Sequence, residues 1–302
     1  MITASVIADS ILTNGRRITT FQLRYPRFVH ADFMTHRLFS RNASSSRAKP
    51  VKAFLSEGIV YPIEWGANIP GMQAGTELTG WRKTAAKAVW ATMAYINGLG
   101  CRLLAKIGLH KQWANRPLEW FTHINVVVTA TTYDNFYALR CHKDAQPEIQ
   151  ALAKAMYQAQ LKSVPVVLGG ADWHLPYIND SDVANATMLV ENTLYKNNVP
   201  EFIANRLTYL LIKVSVARCA RVSYLSHDGK VTTVDEDLKL YDRLLSAIPL
   251  HASPAEHQAT SNPASNNGSV AYPELQGNLI GAIQYRKLLD GEHQNEYRAN
   301  QG

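Results

Sequence analysis

The stretch Thr122 to Thr132 constrains the fold of this chain more than any other. Ile124, Val126, Val127 and Val128, followed by a run of threonines, have the β-branched composition that suits a pleated, packed surface. Residues 5–8 and 17–25 read as two further strands, and the Asn14-Gly15 dipeptide between them predicts a hairpin turn. Helical periodicity fills much of the remainder. A short helix carrying Phe28, Val29, Phe33 and Met34 follows Pro26 and is expected to fail around Ser40–Ser46, where hydroxyls and an asparagine compete for backbone hydrogen bonds. Residues 48–76, rich in proline and glycine, predict a long loop suited to a lid or ligand wall.

From Glu77 to Gly108 the pattern is helical, with Trp81, Ala85, Val89, Trp90 and Met93 on one side and a break expected at Gly98 and Gly100. A second helix near His110 carries Gln112, Asn115 and Arg116. Another spans 132–142. Pro147 opens a longer one, whose Ile149, Leu152, Ala153, Met156 and Tyr157 repeat at core spacing. Val164 to Leu168 predict a short strand, and residues 201–221 and 235–248 predict helices. A polar loop to Gly277 precedes an expected final helix over Ile280–Leu289, in which Gln284-Tyr285-Arg286-Lys287 reads as an exposed basic turn.

At 302 residues and 46% hydrophobic content, the chain is long enough for a substantial core. No apolar run approaches the roughly 20 residues of a membrane span, and Met1-Ile2-Thr3-Ala4 begins no signal peptide. The expected location is the cytoplasm, including the host cytoplasm if the chain is virus-encoded. Cys101, Cys141 and Cys219 form no paired framework, which argues against a disulfide scaffold and a cysteine-rich zinc site; no metal is expected. The formal charge of +7 favours anionic partners. The basic residues are dispersed, so small anionic ligands are expected and nucleic acid is not. No G-x-G-x-x-G follows a strand, which argues against a Rossmann domain.

The densest chemistry lies in His36-Arg37-Leu38-Phe39-Ser40-Arg41-Asn42-Ala43-Ser44-Ser45-Ser46-Arg47. A helix end followed by hydroxyls and flanked by guanidiniums can hold a phosphate. This segment resembles the R-H-R-x-x-S-x-N-E-x-S-x-R-Y signature of the flavin-dependent thymidylate synthases, the ThyX family. A second resemblance is Asn135-Phe136-Tyr137-Ala138-Leu139-Arg140 followed by Ala145-Gln146-Pro147-Glu148-Ile149. A third joins Ala217-Arg218-Cys219-Ala220-Arg221-Val222-Ser223 with His251-Ala252-Ser253-Pro254-Ala255-Glu256-His257. In familiar members the third pair precedes the R-H-R motif, so the order here is the family's order read on a circle. That implies a circular permutation, tolerated where natural termini lie close.

The resemblance implies an α/β (α+β) fold, a central and mostly antiparallel sheet flanked by helices, in a single domain over 1–302 with a C-terminal extension at 259–302. It implies FAD as cofactor, held by His36, Arg37, Leu38, Asn135, Ser253 and Glu256. It implies NADPH and methylenetetrahydrofolate as co-substrates and dUMP as substrate. Arg140 would polarise the pyrimidine, and His251 would lie at the flavin face where folate and substrate meet. Asp32, Ser45, Ser46, Arg47, Arg116 and Ser223 would complete the substrate site. A homotetramer with interfacial active sites is expected. The sequence departs from the signature at Thr35 (for arginine), Ala43 (for glutamate), Asp32 (for a substrate-contacting glutamine), Ala48, Asp144 and Ala255. The lost glutamate opens two alternatives: a related flavoenzyme acting on dCMP or an already modified dUMP, and a silent nucleotide- or nucleic-acid-binding homologue.

Overall fold

A computed structural model describes residues 1–193, 200–224, 232–245, 247, 250–265 and 269–292. The strands are β1 (Thr3–Ile11), β2 (Arg17–Pro26), β3 (Ser40–Ala43), β4 (His123–Ala130), β5 (Val166–Val167), β6 (Trp173–His174), β7 (Ala259–Ser261) and β8 (Ala282–Gln284). The helices are α1 (His30–Met34), α2 (Val51–Leu55), α3 (Gly80–Lys106), α4 (Lys111–Ala114), α5 (Asp134–Arg140), α6 (Pro147–Lys162), α7 (Asp180–Thr193), α8 (Pro200–Tyr224) and α9 (Val234–Leu245). The main sheet runs β3-β4-β2-β1-β5, antiparallel except for the short parallel β1–β5 pair, and a smaller sheet runs β6-β7-β8. This is the α/β arrangement, with a mostly antiparallel central sheet, that the sequence led us to expect.

The Asn14-Gly15 hairpin forms where the dipeptide predicts it. Gly15 takes φ +80°, a conformation costly for other residues, and the turn closes with Leu12 N–H donating to Arg16 O and Gly15 N–H to Leu12 O, both at 2.8 Å. Strand alternation then gives the main sheet two unlike faces. Phe21, Leu23, Tyr25, Ile124, Val126, Val128 and Ala130 bury one face against α1, α5 and α6, where Phe33, Phe136, Ile149, Leu152, Ala153 and Met156 complete the core. The opposite face carries Thr20 and Thr129, with Val127 packed on Cys219 and Val222 of α8.

Several elements differ from the sequence reading. Ser40–Ala43 is an edge strand instead of a failed helix end, because Arg41 and Asn42 pair with Val128 and Val127 of β4. Its upstream helix is confined to His30–Met34. Helix α3 runs without a break through Gly98 and Gly100; two glycines cost only about 1 kcal/mol each, and buried Gly98 packs near Leu55. The buried face of α3 is Ala94, Gly98 and Cys101, while Trp81, Val89 and Met93 are exposed. Tyr157 of α6 is also exposed rather than core. The 48–76 loop includes α2, and its anchors include Ile63 N–H donating to buried Glu148 at 2.8 Å and Trp90 Nε1 donating to Val60 O at 2.8 Å.

Ile280–Leu289 is not a helix but β8 followed by a 3-10 turn. Gln284 and Tyr285 are buried there, with Tyr285 OH 2.6 Å from Tyr241 OH of α9. Arg286 pairs with Glu256 and Glu292, so this segment is not an exposed basic turn. Among the described residues, no helix is long and apolar enough to cross a membrane.

The polar face contains His174 and His257, each fully enclosed, and burial pushes both rings from 6.5 down to about 3. In the unfolded chain these rings take up protons near pH 6.5; in the folded chain they do not until about pH 3. Their contribution to stability is therefore whole above about pH 6.5 and declines as the pH falls, at up to about 1.4 kcal/mol per pH unit for each ring. Urea titrations at about pH 7 and about pH 5 should show the free energy of unfolding dropping on acidification. A flat profile over that interval would contradict the buried, neutral placement of these histidines.

Candidate active site

The helix arginine and the His36 motif, far apart in the chain, meet at one edge of the main sheet. Arg140, in the last turn of α5, donates from Nε to His36 Nε2 at 3.1 Å and from Nη2 to Thr35 Oγ1 at 3.2 Å. Guanidinium nitrogens only donate, so His36 Nε2 accepts and the neutral ring carries its proton on Nδ1. The ring lies edge-on to Phe136 at 4.8 Å and stacks on Phe39 at 5.6 Å. Burial lowers its pKa, with Arg140 and then Arg41 adding to the effect.

Arg41 explains why the loop before β3 holds this shape. Its Nη1 donates to the carbonyls of Met34 (3.1 Å) and His36 (3.0 Å), with Phe33 O at 3.5 Å, and so covers orphan carbonyls at the end of α1. Arg37 and Leu38 are exposed on the same loop, and Asn135 is exposed in the first turn of α5. Asp32 sits in α1, its backbone carbonyl accepting from Thr35 Oγ1 at 2.7 Å.

A second group meets β3 from the far end of the sequence. Ser253, exposed at the start of a 3-10 turn, has its Oγ 3.3 Å from the Asn42 amide, and His257 Nε2 lies 3.1 Å from that amide. Glu256 pairs with Arg286. Burial raises the Glu256 pKa, opposed by the charges of Arg286, Arg41 and Lys287. His251 is exposed, and its backbone N–H donates to Leu244 O at 3.3 Å. Ser223 lies in the last turn of α8, and its side chain is outside the described residues.

The third group follows β3. Ser45 Oγ accepts from Arg47 N–H at 3.2 Å in a turn that leaves Arg47 exposed. Ser46 is buried and donates to Glu119, while Arg116 forks onto the same carboxylate at 3.2 and 3.1 Å. Arg27 stands behind this wall with Nη2 3.4 Å from Ser44 O, and its Nε is buried without a partner. Among the described residues, no group of three or more His, Cys, Asp or Glu is placed to hold a metal ion.

Residues 18–166 match the family model described as Thy1, thymidylate synthase complementing protein. That segment, just under half of the chain, resembles the Thy1 family. The Thy1 segment holds β2–β4 and α1–α6, and with them His36, Arg116 and Arg140; it ends before Ser253 and His257. The chain also resembles solved structures. A UMP/dUMP methylase, PolB from Streptomyces cacaoi bound with 5-Br UMP, is 21% identical over 54% of this chain and 89% of its own, with a TM-score of 0.47. The same enzyme bound with 5-Br dUMP gives 24%, 48%, 67% and 0.40. Thymidylate Synthase X from Helicobacter pylori, with FAD and dUMP, gives 19%, 47%, 67% and 0.34. No curated protein sequence matches the chain.

Arg41, Asn42, Glu119 and His257 were not singled out from the sequence as site residues. Asn42 and His257 both stand at motif positions, which was the available signal; Glu119 lies in no motif and is revealed only by its contacts. Since Arg140 helps keep His36 neutral, Arg140→Met should raise the His36 pKa, in part because burial remains. Histidine Cε1–H titration by NMR reads this directly, and an unmoved pKa would contradict the Arg140–His36 contact.

Proposed function

We propose that this protein is a flavin-dependent thymidylate synthase that methylates dUMP reductively to dTMP, taking the carbon from methylenetetrahydrofolate and reducing equivalents from NADPH. The contact of Arg140 with His36 and Thr35 carries the reading, because it joins the two strongest motifs of the Thy1 segment at one point. Arg140 has two of its nitrogens engaged by the protein, which fixes the guanidinium plane and leaves Nη1 to donate to a pyrimidine oxygen. A fixed positive charge there withdraws density from the ring and stabilises negative charge that develops on the oxygen.

FAD, when bound, supplies hydride transfer and shuttles reducing equivalents between NADPH and the one-carbon unit. The residues fit such a group. Exposed Met34, Leu38 and Leu139 flank the His36–Arg140 pair in sequence and provide apolar surface for a flat ring. Exposed Arg37, Asn135 and Ser253 provide donors for its polar edge and anionic tail. Glu256 lies behind Ser253 and His251 beside it in the chain, as the resemblance implies. For the nucleotide, Arg47, Arg116 and the unspent Arg27 donor supply positive charge around Ser45 and Ser46, with Asp32 and Ser223 as further substrate-side residues.

The circular permutation belongs to this proposal. In its support, the segment after His257 comes to lie against the turn that leads into β2: Ser261 Oγ accepts from Thr13 N–H at 2.9 Å, and Asn14 Nδ2 donates to Gly281 O at 2.6 Å. A homotetramer is also proposed, supported by the exposed stripe of Val89, Met93, Ile96, Leu103 and Ile107 along α3; sedimentation at the mass of one chain would contradict it.

One observation favours a second substrate. Ala43 replaces the signature glutamate and packs toward the apolar core, leaving no carboxylate at that position of β3. Tritium release from 5-tritiated dUMP and 5-tritiated dCMP, with methylenetetrahydrofolate and NADPH present, separates the two. Release from dUMP is expected; release from dCMP alone would move the assignment to cytidylate, and release from neither would count against both. Arg140→Ala should abolish release while the flavin stays bound, and undiminished turnover in that variant would refute the role of Arg140.

A further inference from the structure

A continuous hydrogen-bonded chain crosses the polar face of the main sheet and ends at the Ser253 segment. Ser10 Oγ of β1 lies 2.9 Å from His174 Nδ1 of β6, and His174 Nε2 lies 2.7 Å from Thr20 Oγ1 of β2. Thr20 Oγ1 is 2.6 Å from Thr129 Oγ1 of β4, which is 2.9 Å from His257 Nδ1. His257 Nε2 then reaches the amide of Asn42 on β3 at 3.1 Å. Ser10, Thr20, Asn42, Thr129, His174 and His257 are all buried.

Each hydroxyl and each neutral imidazole has one proton to give, so a single choice of direction sets every link. Asn42 makes that choice. One end of its amide faces Arg41 O at 3.1 Å, Ser253 O at 3.0 Å and His257 Nε2 at 3.1 Å, and an end surrounded by two carbonyls must be the NH2. His257 Nε2 is then an acceptor, and its Nδ1–H donates to Thr129. Thr129 donates to Thr20, Thr20 to His174 Nε2, and His174 Nδ1–H to Ser10. The opposite direction would press the Asn42 oxygen against two carbonyl oxygens. Burial of both rings, which lowers their pKa values, keeps them neutral as this pattern requires.

We infer that His257 is a positioning residue: fixed as its Nδ1–H tautomer by the chain from Ser10, it orients the Asn42 amide, which in turn holds the Ser253 carbonyl and residues 251–256 against β3. The segment so held carries His251, Ser253 and Glu256, and its bearing on cofactor binding rests on the flavoenzyme reading above. The chain explains why a polar path is kept across an otherwise packed interior. The donors of Asn42, His257, Thr129, Thr20 and His174 are all used, so the network specifies one arrangement of the segment.

Long-range 1H–15N correlation of 15N-histidine-labelled full-length protein reads the tautomer without any ligand, with His257→Gln identifying the resonance. The proton is expected on Nδ1; a proton on Nε2 would overturn the inference. Amide exchange at 251–256 should accelerate in Thr129→Val, which removes a link remote from the segment while circular dichroism shows it folded; unchanged exchange would also overturn it. FAD affinity, by fluorescence titration, should fall roughly tenfold in Thr129→Val and His257→Leu, the factor expected for one lost buried hydrogen bond. His257→Gln, whose Oε1 falls where Nε2 accepts, should restore binding to near the original level. Equal losses in Gln and Leu variants would contradict the acceptor role. If the unaltered protein binds no FAD, the flavoenzyme reading falls, while tautomer and exchange still decide the positioning role.

Discussion

The pairing of β4 with β2 on one side and β3 on the other is the constraint on which the rest of this structure depends. Eight residues of β4 register with β2 and four with β3. The same strand sends Ile124, Val126 and Val128 into the main apolar core and Thr129 into the polar face. Burying the first set drives folding through apolar area removed from water. The second set then lies in a low-dielectric interior, where each polar group needs a partner. Edge strand β3 exists because β4 offers it a ladder, and through β3 the His36 loop and the Asn42 contact acquire fixed positions.

Charge follows from the same layering. The enclosed histidines sit beneath the sheet and are held neutral, whereas Arg37, Arg47 and Arg116 line its edge with access to solvent. Arg140 and Arg41 occupy the boundary. They are partly buried, donate to groups of the loop before β3, and add to the burial that depresses the His36 pKa. A site built in this way presents positive charge to an anionic ligand while the enclosed histidines behind it stay neutral. The Glu119 carboxylate, shared by Ser46 and Arg116, tempers that field around Ser45 and Ser46.

How much of this was legible in the residues varies with the physics of each element. The β1–β2 hairpin and β4 were readable because Asn-Gly turns and β-branched runs act locally. Helices α5, α6 and α8 declared themselves by periodicity. Strand β3 did not, since Ser40-Arg41-Asn42-Ala43 has little strand propensity and is extended only by its partner. The tail over Ile280–Leu289 misled for the opposite reason: its apolar spacing looks helical, but Tyr285 and Gln284 are claimed by Tyr241, Ser40 and Glu256 from distant parts of the chain. The meeting of Arg140 with His36 was visible only as a resemblance of motifs. The relay through His174 and Thr20 lies in no motif, and only the three-dimensional arrangement reveals it.

The central claim is that the Arg140–His36 edge is where a flavin and a pyrimidine nucleotide come together. A crystal structure of the protein grown with FAD and dUMP tests it most directly. The account predicts a uracil oxygen within hydrogen-bond reach of Arg140, with the flavin ring against the His36–Leu38 loop and Ser253. Nucleotide bound away from Arg140, or flavin seated elsewhere on the molecule, would contradict it.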